Sequence, residues 1–145
     1  MPREVPKELY DEVFSLITAI AQPDAKPLSV PNEIAASEAL AKLTALFKLR
    51  QDAGRPDPFL TEALADFVED DTEAIRLYEL ALAQCPATPG EPTHTKRVGL
   101  ARRLLEAGRK SDARAELQRA RREAFAASDT DALAELEEIA AGLAV

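Results

Sequence analysis

The sequence predicts an all-α protein built from stacked antiparallel helix pairs, about seven helices in all. Three observations predict it. Alanine and leucine dominate the apolar residues, aromatic residues make up only 5% and tryptophan is absent, a composition that favours helix over strand. Apolar positions recur at intervals of three and four along most of the chain. Breaks rich in proline, glycine and aspartate divide it into helix-length segments joined by short links. At 145 residues the chain suits a single domain, large enough to bury a core without covalent staples.

The first helix is predicted from Pro6 to about Gln22, with Leu9, Tyr10, Val13, Phe14, Ile17 and Ile20 turned inward. Pro6 suits an opening turn, where its missing N–H costs nothing. Pro23 and Pro27 break the pattern. A second helix starts near Pro31 and Asn32 and ends before Gly54, with Ile34, Leu40, Leu43, Leu46 and Phe47 on its apolar face. Asp57-Pro58 reads as a cap followed by a first-turn proline, opening a third helix that runs to about Val68. Asp70 and Glu73, three apart, have capping-box spacing and open a fourth helix from about Asp71 to Cys85. The stretch from Pro86 to Pro92 contains three prolines and reads as a stiff link. A fifth helix follows from about Thr93 to Ala107, stopped by Gly108 in a left-handed C-cap. A sixth spans about Lys110 to Ala127, and Ser128-Asp129 precedes a seventh that runs to about Leu143.

Formal charge is −8 but unevenly placed: residues 1–95 carry 8 basic and 17 acidic side chains, residues 96–122 carry 10 and 3, and residues 123–145 carry none and 6. The basic segment reads first as a solvated helix pair balanced by its acidic neighbours, and second as a docking surface for an acidic partner. Nucleic acid is disfavoured, because no aromatic residue interleaves the arginines. No apolar run is long enough for a membrane span. The charged opening Met1-Pro2-Arg3-Glu4 does not read as a signal peptide. Cys85 is the only cysteine, so no intrachain disulfide is available and a reducing cytoplasm is the expected compartment.

Two predicted hairpins share a spacing. Ala74, Tyr78 and Ala81 fall at intervals of four and three, and Ala113, Leu117 and Ala120 repeat them 39 residues later. Small residues let a neighbouring helix approach, and the larger residue between them fills the gap. The run from Leu100 to Lys110, with Leu100, Ala101 and Leu104 before Gly108, then Ala113, Leu117 and Ala120, resembles the two-helix signature of the tetratricopeptide repeat (TPR) family. Ala74, Ile75, Tyr78, Ala81, Leu82 and Pro86 resemble the second helix and terminal proline of a preceding repeat. Its first helix departs from the pattern: Thr61 and Glu62 stand where apolar residues are usual, and Glu69 replaces the turn glycine.

The resemblance covers residues 57–127, read as two TPR-like pairs. Residues 1–56 form an N-terminal hairpin, either a divergent repeat or an extension, and residues 128–145 look like the capping helix of such an array. The resemblance implies a right-handed stack with no catalytic chemistry, whose first helices line a concave groove that binds protein or peptide. On that layout the groove comprises Phe59, Ala63, Asp66, Phe67, Thr95, Val98, Arg102, Leu105 and Glu106. An acidic group of the partner would suit Arg102, and Arg121 would reach across the seventh helix toward Glu135 or Glu138.

Other chemistry finds little support. His94 reads as a surface or capping histidine, and Cys85, at a helix C-terminus that disfavours a thiolate, as a buried inert thiol. One histidine and one cysteine cannot supply a conventional zinc set. The acidic cluster of Asp66, Glu69, Asp70, Asp71 and Glu73 reads as helix capping and solvation rather than a catalytic carboxylate pair. Phosphate-loop, serine-nucleophile and dinucleotide fingerprints are missing. The expectation is a cytoplasmic, bacterial, non-enzymatic adaptor or chaperone-like module, without cofactor, metal or membrane. A structural, self-assembling helical protein is the alternative, with homo-oligomers open. An immunity protein that binds a toxin through the negative face from Asp66 to Glu73 is a lesser one.

Overall fold

The computed structural model describes residues 7–21 and 30–144. Among them are seven α-helices: α1 (Lys7–Ala21), α2 (Val30–Asp52), α3 (Pro58–Phe67), α4 (Asp71–Gln84), α5 (His94–Glu106), α6 (Lys110–Ala126) and α7 (Thr130–Leu143). A short 3-10 turn, Cys85–Ala87, follows α4 in the proline-rich link. Each predicted helix is present with ends within a few residues of those expected. Among the described residues no helix is long and apolar enough to cross a membrane.

Local chemistry sets the boundaries. The Asp57 carboxylate accepts from the Phe59 amide at 3.0 Å and Pro58 opens α3, while the Asp70 carboxylate accepts from the Glu73 amide at 3.0 Å to open α4. Asp129 caps α7 in the same way, accepting from the Ala132 amide. At the far end of α5, Gly108 has φ +79°, and the Arg109 and Gly108 amides turn back to the Leu104 and Leu105 carbonyls. Ser128 repeats this closure after α6 with φ +55°, so a residue with a Cβ occupies a conformation that glycine fills more easily.

Each helix packs against its successor, and α1 also reaches α3, while α7 also reaches α5. One apolar core runs from Val13 of α1 through Leu43, Leu60, Leu77, Leu100, Leu117 and Leu136 to Leu143 of α7. All six positions of the repeated trios, Ala74, Tyr78, Ala81, Ala113, Leu117 and Ala120, are buried. Phe14, expected inward, is instead 55% exposed: it lies on the solvent side of α1, next to the buried Val13. Leu9, Tyr10, Ile20 and Ile34 lie outside the described side chains. The departures from the repeat pattern in α3 are polar but satisfied. The buried Thr61 hydroxyl lies 2.7 Å from Gln84 Oε1 and 3.0 Å from the Asp57 carbonyl one turn back, and donates its one hydrogen to either acceptor.

Close approach through alanine can be tested. Ala120 has no exposure, whereas Ala126 lies on the surface of the same helix. Ala120→Leu should lower stability by about 1–3 kcal/mol, and Ala126→Leu should change it by less than about 0.5 kcal/mol. Urea unfolding of the two variants distinguishes them, and equal midpoints would contradict tight contact at Ala120.

Candidate functional site

A cavity of 660 Å³ opens between α3, α5 and the start of α7. It meets a second one of 340 Å³, between α1, α3 and the proline-rich link, at Glu62, Asp66 and Thr95. The two recesses share these three residues as a common wall. Of the residues expected to line the groove, Phe59 and Ala63 line the second cavity, Asp66 and Thr95 line both, and Val98, Arg102 and Glu106 line the first. Phe67 and Leu105 line neither and pack half-buried against the core. Leu105 is covered by α7, where a Cβ on Gly142 would stand 2.8 Å from its Cδ2.

The face that α5 turns toward α3 is built from Lys96, Gly99 and Arg103, spaced by three and four. Lys96 has no exposed side-chain surface. Its ammonium donates to Glu62 at 3.0 Å, Glu91 at 2.7 Å and the Pro92 carbonyl at 2.8 Å. Burial alone would lower its pKa, but the two carboxylates outweigh that and hold it above the ordinary lysine value. The basic segment is therefore not simply a solvated face, as its charge pattern suggested.

Gly99 sits one turn on. A Cβ there would fall 2.6 Å from the Tyr78 hydroxyl oxygen and closer still to its ring. The missing side chain lets the buried Tyr78 extend from α4 to the groove floor, where its hydroxyl donates to Asp66. Burial first, and then the Asp66 charge, raises the Tyr78 phenol well above its usual range. Asp66 is exposed as a residue, yet its carboxylate turns into the groove, where protein displaces water. That desolvation pushes its pKa up to about 6, against the lowering effect of the Tyr78 hydrogen bond.

Arg103 completes this face. It donates to the Val68 carbonyl at 2.6 Å, to the Ala65, Asp66 and Glu69 carbonyls at 3.3–3.4 Å, and to Asp71 at 3.0 Å. These carbonyls belong to the end of α3, whose turn carries Glu69 in place of glycine. A cation from α5 thus satisfies groups that a glycine C-cap would otherwise close.

Several sequence expectations need correction. His94 is neither at the surface nor a cap of its own helix: it is 8% exposed and lies 2.8 Å from Asp129, the cap of α7. Arg121 pairs with Glu137 at 3.1 Å, not with Glu135 or Glu138, because Glu137 is the carboxylate that α7 turns to that side. Arg102, expected to meet an acidic group of a partner, pairs with Glu135 of α7 at 3.4 Å. Cys85 is buried as expected, and burial raises its thiol pKa. In the acidic cluster, Asp70 caps α4, Asp71 holds Arg103 and Glu73 holds Arg76. The groove residues that sequence reasoning missed are Glu62, Tyr78, Gly99 and Arg103, and the α7 wall of Asp129, Asp131, Ala132 and Glu135. Gly99 carried a signal: glycine inside a helix costs about 1 kcal/mol relative to alanine, which a close approach explains.

Comparison with protein-family models, with curated proteins and with solved structures finds no match for this chain.

Two outcomes follow from the geometry. Lys96→Met should strand Glu62 and Glu91 and cost about 3–5 kcal/mol in unfolding free energy by urea titration. Asp66, with its folded pKa above the ordinary 3.8, binds its proton to higher pH in the folded chain than in the unfolded one. Its favourable contribution is complete at low pH and is lost as pH rises from about 4 through about 6. Asp66→Asn should therefore gain stability relative to wild type at pH 7 compared with pH 4, and a constant offset across that range would contradict the raised pKa.

Proposed function

We propose that this chain is a non-enzymatic protein- or peptide-binding module, adaptor or chaperone-like, of TPR-like helical architecture. The observation that carries this reading is a pair of adjoining recesses, walled by helices far apart in sequence and floored by side chains that hydrogen bonds hold in place. Adjoining recesses of 660 Å³ and 340 Å³ have the volume to take side chains of a bound segment. The repeated trios, both buried, support the repeat reading, as does the left-handed turn at Gly108.

Two features support binding rather than catalysis. The Cys85 thiol is buried and its pKa is raised, the opposite of an activated nucleophile. His94 is tied to the α7 cap, which gives it a structural role. A single free, buried cysteine fits a cytoplasmic setting, and the abundance of alanine and arginine fits a bacterial source. The lesser reading of an immunity protein that holds a toxin by the negative face from Asp66 to Glu73 shares only Asp66 with this lining.

Photo-crosslinking in a native lysate tests the groove. A benzoylphenylalanine in place of the exposed groove residue Glu106 should capture a discrete protein partner, and one in place of the exposed Arg114 on α6 should not. Capture from Arg114 alone would move the binding surface to the other side of the molecule.

A further inference from the structure

Six carboxylates and two guanidinium groups line the larger cavity. Both guanidiniums are already engaged: Arg103 with the α3 carbonyls and Asp71, Arg102 with Glu135. The nearby Lys96 is satisfied by two carboxylates and a carbonyl behind the wall. An anionic ligand would have to displace one of these bonds. The carboxylates are less fully matched. Glu106 and Asp131 have no ion-pair partner among the described residues, and Asp66 uses one oxygen to accept from Tyr78. Asp66 stands in the last turn of α3, and Glu106 is the last residue of α5. Helix C-termini carry partial negative charge, so both positions repel a carboxylate and would gain from a cation beside them.

Two further features point to a ligand. Thr95 Oγ1 is buried at the junction of the two cavities and has no hydrogen-bond partner. Beyond it the groove turns apolar, with Ile17, Phe59 and Ala63.

We propose that the groove binds a basic peptide segment of a partner protein, placing an arginine or lysine among Asp66, Glu106 and Asp131 and a neighbouring apolar side chain beside Phe59. This deepens the groove reading, on which it rests, and reverses the sign of the group first expected opposite Arg102. The guanidinium or ammonium stem covers Val98 while its head meets the carboxylates.

The probe is N-acetyl-leucyl-arginyl-leucine amide, titrated into the 15N-labelled full chain, with the glutamyl analogue as the opposite-sign control. The arginyl peptide should give saturable amide shifts at Thr95, Gly99 and Asp131. The Glu106→Gln, Asp131→Asn double variant, altered only at exposed carboxylates, should weaken binding by about two- to tenfold, while Glu79→Gln on α4 should not. Equal shifts with both peptides, or no effect of the double variant, would overturn the cationic assignment. Preference for the glutamyl peptide at the same amides would overturn it while leaving the groove a binding site. Shifts of these amides on raising protein concentration alone would assign the groove to a second copy of the chain and overturn the proposal. Silence with both peptides would overturn it too, and crosslinking from Arg114 alone would in addition remove the groove reading.

Discussion

A fully buried ammonium cannot be left unpaired, and that constraint on Lys96 shapes the middle of this molecule. Its hydrogen bonds reach Glu62 on α3, and Glu91 and the Pro92 carbonyl in the link before α5. The helices α3 and α5 and the link before α5 are thereby fixed at one point. Apolar residues of similar volume could stabilise such a joint as well. They would, however, draw α3 and α5 together to exclude water. Charged hydrogen bonds have a set length and hold the helices apart, and the groove occupies the space left. Gly99 extends the same logic one turn further, since removing a side chain from α5 lets Tyr78 reach the groove floor.

The ends of the helices show a second economy. α5 closes on a glycine in the left-handed region, and α6 closes on Ser128 in the same geometry. α3 has neither. Its last carbonyls are taken by Arg103, which also pairs with Asp71 at the start of α4. One side chain therefore caps a C-terminus and sets the α3–α4 turn against α5. A turn without glycine after α3 and an arginine at 103 are two halves of one arrangement.

This explains what could be read from the chain and what could not. Helix positions were legible because their signals are local: Asp57-Pro58, the Asp70–Glu73 spacing, Gly108 and the three-four apolar rhythm act within a turn or two. The buried alanines were legible for the same reason. Polar residues at apolar positions were not. Thr61 and Glu62 looked like defects in a repeat, because their partners Gln84 and Lys96 lie 23 and 34 residues away. A buried ion pair leaves no periodic trace in either helix. The recesses were half legible: Phe59, Ala63, Asp66, Thr95, Val98, Arg102 and Glu106 of the expected α3 and α5 stripes line them, while the α7 wall has no counterpart in the repeat pattern, which gives the terminal helix only a capping place.

Charge was the least legible property. The stretch 96–122 is strongly basic in sequence, and folding distributes its cations among acidic neighbours, as the first reading of it expects, but without leaving all of them in solvent. Arg97 pairs with Glu116 and Glu123, Arg102 with Glu135, Arg109 with Asp112, and Arg121 with Glu137. A linear count places the positive charge on α5 and α6, whereas the folded groove beside α5 is lined mainly by acids. The reversal comes from direction. Lys96 and Arg103 point into α3 and are consumed there, while carboxylates from α3, α5 and α7 converge on the opening. Converging charges within a Debye length of roughly 8 Å reinforce one another, and a concave wall of low polarisability focuses their field outward. A net charge of −8 spread over a sphere would say little about where a partner lands. Gathered at the mouth of the groove, even part of it gives an approaching cationic segment a direction before any contact is made.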